Sequence, residues 1–193
     1  GIQRSNIHLG DVVVVIGCGF MGLLLIQLAA LRGPSELIAI DINDERLKIA
    51  EEFGAEVSLN PYRVDPIKYI MDATGGRGAD VVIEAVGEQS SLDVATKIAK
   101  IRGTLVIFGY HVGEPRIIDM ERWNWKGLDV INAHERETEV YMEGMRIGIN
   151  LLSKGKIKIK PLITHTYPLE QINRAFTDVE TKIKGLIKAV ITP

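Results

Sequence analysis

A continuous run of β-branched residues near the start of the chain constrains the fold more than any other feature. Residues 11–16 contain four consecutive valines and an isoleucine, with no polar residue after Asp11. Such a run is typical of a strand covered on both faces of a parallel sheet. Glycines follow directly, and the Leu- and Ala-rich residues 21–31 predict a helix that ends before Gly33 and Pro34. The chain therefore begins with a strand, a turn and a helix.

The same alternation continues along most of the chain. Further strands are predicted at residues 37–40, 57–59, 80–84, 104–108 and 128–132. Helices are predicted at 43–53 with Asn43 as the cap, at 65–74, from a cap at Ser90 or Ser91 to Lys100, and at 137–154. A long irregular link that includes Trp123 and Trp125 is predicted before the last of these strands. Because parallel neighbours are joined only by crossovers, we predict an α/β fold with a doubly wound, six-stranded parallel sheet of the Rossmann type.

The pattern changes near residue 155. From 156 to 160, lysine and isoleucine alternate, which predicts a strand with one solvent-exposed face that ends at Pro161. A short helix from 169 to about 179 and a final strand at 185–191 follow. We therefore expect a Rossmann domain over residues 1–155 and a C-terminal segment over residues 156–193.

A glycine motif joins the first strand to the first helix. Gly17, Gly19 and Gly22 form G-x-G-x-x-G in that context, which is far more specific than the string alone. The first glycine turns the chain, the second lets a pyrophosphate approach the backbone, and the third lets the helix pack on the strand. The helix N-terminus adds unpaired N–H groups and the positive end of its dipole. The motif predicts a dinucleotide site, and a glycine turn without a ligand is the alternative.

An acidic residue follows at the expected distance. Asp41 ends the second strand, 19 residues after Gly22. A carboxylate there accepts both hydroxyls of an adenosine ribose. It also repels a 2′-phosphate, by about 4 kcal/mol for unit charges about 4 Å apart at an effective dielectric constant of about 20. We therefore predict NAD rather than NADP. Asp41 as a simple strand end is the alternative, and Arg46 either reaches the ribose or a phosphate or is a solvated helix residue.

Two further strand ends are expected to face the other half of a dinucleotide. Small residues end the fourth strand at Ala85, Val86 and Gly87, and Phe108 and Gly109 end the fifth. Ligands of such sheets lie across the carboxyl ends of the strands where the strand order reverses. These residues predict close backbone approach to a flat ring and its ribose. Glycine loops that serve only to turn the chain are the alternative.

Charge and composition argue against several classes of partner. The 23 Lys and Arg residues nearly balance 25 Asp and Glu residues without a basic block, so we expect no nucleic-acid partner. The apolar runs are far shorter than the ~18 residues that span a bilayer, and no signal-peptide pattern opens the chain, so we expect no membrane partner. A single cysteine, Cys18, excludes an internal disulfide. An intracellular, cytoplasmic location is the expectation.

Other catalytic motifs are missing from the sequence. The histidines lack a carboxylate or cysteine at metal-ligand spacing, so we predict no metal site in this chain; they are His8, His111, His134 and His165. There is neither a Tyr-x-x-x-Lys pair nor a G-x-S-x-G turn. Cys18 is expected to pack rather than react, and Trp123 and Trp125 to pack in a loop or a subunit contact. We assign no catalytic residue to the chain.

Taken together, these stretches resemble the coenzyme domain of the medium-chain dehydrogenase/reductase superfamily, in its zinc-dependent alcohol and polyol branch with sorbitol and threonine dehydrogenases. The resemblance covers residues 10–22, 40–47, 79–87, 104–109 and 163–176. It implies NAD-linked oxidation of an alcohol. It also implies that residues of the glycine motif meet the pyrophosphate, that Asp41 and Arg46 meet the adenosine ribose, and that the two strand ends meet the nicotinamide. The implied pyrophosphate contacts are Gly17, Gly19, Phe20, Met21 and Gly22, and the implied nicotinamide contacts are Ala85, Val86, Gly87, Phe108 and Gly109.

The resemblance also implies what lies outside this sequence. Members of the family carry their catalytic zinc and proton relay in an N-terminal domain, and this sequence starts at Gly1, after that domain. We therefore expect a piece of a longer enzyme with a small alcohol substrate. The piece alone is expected to bind dinucleotide without turning over alcohol. A homo-oligomer, formed through the sheet edge near residues 104–108 and 128–132, is also implied.

Three alternatives remain open from the sequence. A zinc-free reductase of the same superfamily, acting on quinones or enones, differs only in the N-terminal part. A free-standing NAD-sensing module would be complete at this length. A methyltransferase also places a glycine turn and an acidic residue after consecutive strands, and it would bind S-adenosylmethionine instead of NAD.

Overall fold

The computed structural model describes all residues from 1 to 193 and divides the chain into two compact units, Gly1–Arg136 and Glu137–Pro193. The first unit contains a six-stranded sheet and the second a two-stranded sheet. The division falls before the long helix that the sequence analysis assigns to the first domain. A domain boundary at residue 155 stays a prediction.

The sheet of the first unit has the predicted doubly wound topology. Its strands are β1 (Val12–Ile16), β2 (Glu36–Ile40), β3 (Val57–Leu59), β4 (Ala79–Glu84), β5 (Ala99–Ile107) and β6 (Asp129–Asn132). They lie in the order β3-β2-β1-β4-β5-β6, and every neighbouring pair is parallel. The strand order reverses between β1 and β4, so the carboxyl ends of these two strands mark the ligand-binding position of such folds. The predicted fold class is confirmed.

Five helices belong to this unit, and local capping explains where two of them begin. They are α1 (Phe20–Ala30), α2 (Asp44–Glu52), α3 (Pro66–Ala73), α4 (Gln89–Ile98) and α5 (Met120–Lys126). The side chain of Asn43 accepts the N–H groups of Glu45 and Arg46 at 2.9 and 3.2 Å. Asp65 caps α3 in the same way. These caps satisfy N–H groups that have no partner within the helix.

The predicted cap of α4 is wrong. Glu88 occupies the cap position, and Ser91 lies in the first turn, where its hydroxyl accepts the Glu88 N–H at 3.3 Å. Ser90 is likewise inside the helix. Serine is common both at the cap position and in the first turn of a helix, so the two serines did not identify the residue at which α4 begins.

Helix α5 lies inside the link that the sequence analysis leaves irregular. The Trp123 indole donates to the Thr96 hydroxyl at 3.0 Å. The Lys126 ammonium donates to the carbonyls of Thr96 and Lys97 at 3.1 and 2.7 Å and also to that of Ala99. These acceptors are carbonyls of the last turn of α4 and of Ala99, the residue that caps it, and such carbonyls lack partners within the helix. Because the contacts join residues far apart in sequence, a local pattern could not predict the helix.

One hydrophobic cluster of the first unit lies between one face of the sheet and helices α3 and α4. Trp123 is partly buried and packs against this cluster from helix α5 rather than from a loop, whereas Trp125 is 80% exposed. The members of this cluster are fully or almost fully buried aliphatic residues, including Val14, Ile16, Ile38, Ile40, Leu59, Ile70, Val82, Leu92, Ile98 and Leu105.

The second unit contains a strand–helix–strand arrangement. It consists of α6 (Thr138–Ser153), β7 (Ile163–Pro168), α7 (Ile172–Glu180) and β8 (Lys188–Thr192), with short 3₁₀ turns at Lys160–Leu162 and Leu169–Gln171. Strands β7 and β8 are parallel. The Tyr167 hydroxyl donates to the Asp178 carboxylate at 2.8 Å and so links β7 to α7. None of the helices in either unit has the length and apolar character needed to cross a membrane.

The strand predicted at residues 156–160 is wrong. These residues form no strand, and the 3₁₀ turn that contains Pro161 precedes β7. The alternation of lysine and isoleucine satisfies the period of a strand, but a strand also needs a hydrogen-bonding neighbour. Strand β8 pairs with residues 163–168 instead.

Replacing Lys126 with methionine is expected to destabilise the first unit. The variant keeps the aliphatic part of the side chain but loses the hydrogen-bond donors to the α4 carbonyls. Loss of such bonds costs about 1–2 kcal/mol of unfolding free energy, so the melting temperature should fall by about 2–8 °C. Thermal unfolding followed by circular dichroism measures the change. Lys48→Met, at an exposed position of α2, is the matched control, and an equal shift in both variants would contradict the role of Lys126.

Candidate functional site

The carboxyl ends of three adjacent strands are joined by main-chain hydrogen bonds. Gly17 N–H, directly after β1, donates to the Ile40 carbonyl of β2 at 2.7 Å. Ala85 N–H, directly after β4, donates to the Ile16 carbonyl of β1 at 2.8 Å. The structure therefore brings the glycine motif together with the ends of β2 and β4.

The glycine motif needs two of its glycines for its own shape. Gly17 has a φ of 95°, and a Cβ there would lie 2.7 Å from the Val86 Cγ2 atom. A Cβ at Gly22 would lie 1.8 Å from the Gly17 carbonyl oxygen. Gly22 thus lets α1 approach the turn that precedes it, rather than the strand as the motif rule predicts.

Gly19 differs from the other two glycines because its Cβ direction is open. No atom lies within 4 Å of a Cβ built there. Gly19 is also the cap residue of α1, which has neither a side-chain cap nor an acidic residue in its first turn. The exposed side of the turn therefore combines free space with the positive end of a helix dipole, and both favour an anion.

Asp41 is attached to the glycine motif directly. Its Oδ2 atom accepts the Cys18 N–H at 2.6 Å, and its Oδ1 atom accepts the Asn43 N–H at 2.8 Å. The side chain is largely buried, with 9% of the residue exposed. A carboxylate has about four acceptor positions, so these two bonds leave capacity for hydroxyl donors. Asp41 thus fixes the turn in addition to any contact with a ligand, a role that the sequence analysis did not foresee.

Asp41 and Arg46 both act electrostatically on the Cys18 thiol. Burial raises the pKa of the Cys18 thiol well above its ordinary value, the Asp41 charge adds to the rise, and Arg46 opposes it. The buried thiol points to the Ile40 carbonyl at 3.9 Å. Cys18 therefore packs, as predicted, and the Arg46 guanidinium acts close to the glycine motif. Contact of Arg46 with a ribose stays a prediction.

The loop after β4 and the loop after β5 both form hydrogen bonds with Glu84, the last residue of β4. The N–H groups of Val86 and Gly87 donate to its Oε1 atom at 2.8 Å each. The N–H groups of Phe108 and Gly109 donate to its main-chain carbonyl, again at 2.8 Å. We call residues 85–87, 108 and 109 the nicotinamide-side residues, after the ring that the sequence analysis predicts them to contact. The sequence analysis assigned Glu84 no role beyond the last position of the strand predicted at 80–84, although a charged residue that closes a buried apolar strand indicates a buried partner.

Gly87 and Gly109 are required for the contact between these loops. Gly87 has a φ of 90°, and a Cβ there would lie 2.8 Å from the Tyr110 carbonyl oxygen. A Cβ at Gly109 would lie 2.3 Å from the Gly87 nitrogen. The glycines thus let the two loops approach each other, and close approach to a ligand stays a prediction. Val86, which precedes Gly87, offers an exposed apolar side chain, with 47% of the residue exposed.

Among all residues of the chain, no group of three or more His, Cys, Asp and Glu side chains could hold a metal ion. The residues therefore do not fit a zinc site.

Comparison with known proteins identifies the family. Residues 21–147 match the family model described as zinc-binding dehydrogenase. The chain belongs to this family of dehydrogenases. An alcohol dehydrogenase of Cupriavidus necator is 34% identical to this chain; the match covers all of this chain and 52% of the relative. An L-threonine 3-dehydrogenase of Bacillus licheniformis is 34% identical over 86% of the chain and 47% of the relative.

A solved structure adds a ligand-bound neighbour. A putative zinc-binding dehydrogenase from Sinorhizobium meliloti, bound to NADP, has a TM-score of 0.88 and 27% identity, and it covers all of this chain and 55% of its own length. The chain spans about half the length of the curated relatives that it matches. The predicted resemblance to zinc-dependent dehydrogenases is confirmed.

Two alanine substitutions should separate the glycines of the motif. Gly22→Ala places a methyl group against a main-chain carbonyl and is expected to cost about 1–3 kcal/mol of unfolding free energy. Gly19→Ala meets no atom and is expected to cost at most about 1 kcal/mol. Urea denaturation measures both, and a Gly19 variant less stable than the Gly22 variant would contradict the geometry of the turn.

Proposed function

We propose that this chain is the NAD-binding half of a zinc-dependent alcohol or polyol dehydrogenase that transfers hydride between an alcohol and NAD. One observation carries the proposal. The glycine motif, the Asp41 carboxylate and the ends of β4 and β5 meet at the point where the strand order reverses. That is the dinucleotide position of doubly wound sheets. Family membership and the alcohol and threonine dehydrogenase relatives support the same conclusion.

Each part of the site has a separate task in this proposal. The open side of Gly19 and the N-terminus of α1, with Phe20 and Met21, bind the pyrophosphate. Asp41 and Arg46 bind the adenosine ribose through the acceptor capacity that the turn leaves free. The nicotinamide-side residues orient the ring. Bound NAD supplies the hydride acceptor, and the protein supplies its orientation.

A zinc ion does not enter the chemistry of this chain. No residues here fit it, so we assign it to the part of the relatives' length that this chain does not span. The chain alone is therefore proposed to bind dinucleotide and not to oxidise alcohol. The small alcohol substrate and the cytoplasmic location likewise remain proposals for the full-length enzyme.

The choice between NAD and NADP rests on the charge of Asp41. Its carboxylate is held in place by two main-chain N–H groups and cannot turn away from a 2′-phosphate without losing them. Like charges this close cost several kcal/mol, which Arg46 offsets only in part. The Sinorhizobium meliloti protein binds NADP, so family membership alone does not decide the cofactor. We propose NAD on the strength of Asp41.

Calorimetry with NADH and NADPH tests both the site and the preference. We expect the chain to bind NADH at least about tenfold more tightly than NADPH, a difference of about 1.4 kcal/mol. Asp41→Asn removes the charge and keeps an acceptor for the Cys18 N–H, although its amide group then faces the Asn43 N–H. It should therefore raise NADPH affinity at some cost in stability, which thermal unfolding measures alongside. Equal affinities in the unaltered chain would refute the role of Asp41.

Glycine variants supply the controls for this experiment. Gly19→Ala puts a methyl group in the proposed path of the pyrophosphate and should weaken both cofactors equally. Gly144→Ala, on α6 with no atom within 4 Å of its Cβ, should weaken neither. Absence of binding to the unaltered chain, or binding of S-adenosylmethionine instead, would overturn the proposed function.

We also propose a homodimer formed through strand β6. This strand is the edge of the sheet, and its outer backbone groups have no strand neighbour within the chain. Strand β5, which contains most of residues 104–108, lies inside the sheet between β4 and β6, so only the second of the two predicted segments is at the edge. An edge strand of this kind pairs readily with a second copy.

Sedimentation velocity tests the dimer. The unaltered chain should sediment as a dimer at micromolar concentration, and Ile131→Lys should shift it towards monomer because a charge then lies at the paired edge. Lys48→Met serves again as the control. A monomer at every concentration of the unaltered chain would remove the proposal.

A further inference from the structure

The Glu84 side chain is a buried carboxylate with partners in both loops of the nicotinamide side. It is completely buried. Its Oε1 atom accepts the N–H groups of Val86 and Gly87 and the Ser91 hydroxyl, the last at 2.7 Å. Its Oε2 atom lies 3.0 Å from the Nε2 atom of His111, which follows β5. A buried charge is tolerated only with such a set of donors, so these contacts constrain each other.

The direction of the hydrogen bonds through His111 is fixed by Arg116. The Arg116 Nε atom lies 3.3 Å from His111 Nδ1. Guanidinium nitrogens only donate, so Nδ1 is the acceptor and the imidazole proton is on Nε2. That proton then donates to Glu84. Arg116 thus donates a hydrogen bond to neutral His111, and His111 donates one to Glu84.

Arg116 closes the connection between the loops. Its Nη2 atom donates to the Gly87 carbonyl at 3.0 Å, and its Nη1 atom donates to the Glu114 carbonyl, also at 3.0 Å. Glu84 and Arg116 therefore each form hydrogen bonds with both the loop after β4 and the loop after β5. The Glu84 carboxylate thus links the main chain of Val86 and Gly87 to His111.

We infer that Glu84 and His111 are a positioning pair that sets the backbone of the nicotinamide-side residues. The inference rests on the proposed function. Neither side chain needs to touch the ligand, because each acts through the N–H groups and carbonyls that it holds. Loss of the pair displaces Val86 and Gly87 and so affects the nicotinamide half of the cofactor, while the glycine motif and Asp41 hold the adenosine half unchanged.

The opposite end of β4 offers a matched control. Asp80 accepts the Val12 N–H at 2.8 Å and pairs with Lys100. The Asp80 side chain therefore joins β4 to β1 and β5, at the amino ends of the strands and away from the proposed ligand. Asp80→Asn and Glu84→Gln are equivalent replacements of a carboxylate by an amide on one strand.

The test compares NADH with ADP-ribose, which lacks the nicotinamide, by calorimetry on the full chain. In Glu84→Gln the new amide group faces the His111 N–H donor, and a change of tautomer would set a second donor against Arg116. NADH affinity should fall about tenfold, with ADP-ribose affinity changed by less than about twofold. His111→Leu should act likewise. His111→Gln, which again offers a donor and an acceptor, should restore most of the NADH affinity, and Asp80→Asn should leave the ratio of the two affinities unchanged.

The outcomes separate this inference from the proposed function. If the unaltered chain binds neither ligand, the proposed function fails and the inference with it. If the unaltered chain binds both, and the Glu84 and His111 variants lose both equally or lose neither, only the inference is overturned. Should Glu84→Gln fail to fold, the partly exposed His111 variants decide by the same ratio.

Discussion

The central position of strand β1 is the constraint on which the rest of the first unit depends. β1 pairs with β2 on one side and with β4 on the other, so the chain leaves it at the point where the strand order reverses. The glycine turn that follows is bonded to the end of β2, and the end of β1 accepts a bond from the loop after β4. A parallel sheet thereby gathers residues 17, 41 and 85 at one edge, although long crossovers separate them in sequence.

Two buried carboxylates then fix the loops at that edge. Asp41 accepts main-chain N–H groups from the glycine motif and from the start of α2, and Glu84 accepts them from the loop that follows β4. Burial of a carboxylate is unfavourable unless donors surround it, so each charge requires a particular backbone geometry. Each half of the proposed cofactor site is thus shaped by a buried acidic side chain that binds the main chain of its loop. Asp41 also has acceptor positions left for a ligand.

Prediction from the sequence succeeded where the signal is local. The apolar runs located all six strands of the large sheet, and Asn43 marked the start of α2 correctly. It failed where the deciding contact is distant. Helix α5 depends on Lys126 and Trp123 reaching α4, and residues 156–160 have the period of a strand without a strand to pair with. The capping residue of α4 was missed by a few positions because serine suits several positions of a first turn.

The sequence by itself determined the six strands of the large sheet, the glycine motif after the first strand and the acidic residue at the end of the second, because hydrophobic period and backbone freedom act between near neighbours. Only the tertiary structure decided which donors surround Glu84, that His111 is its partner, and that Asp41 also holds the turn. Those pairings join residues 23 and 27 positions apart. Burial leaves polar groups no water to bond with, so the fold alone selects their partners.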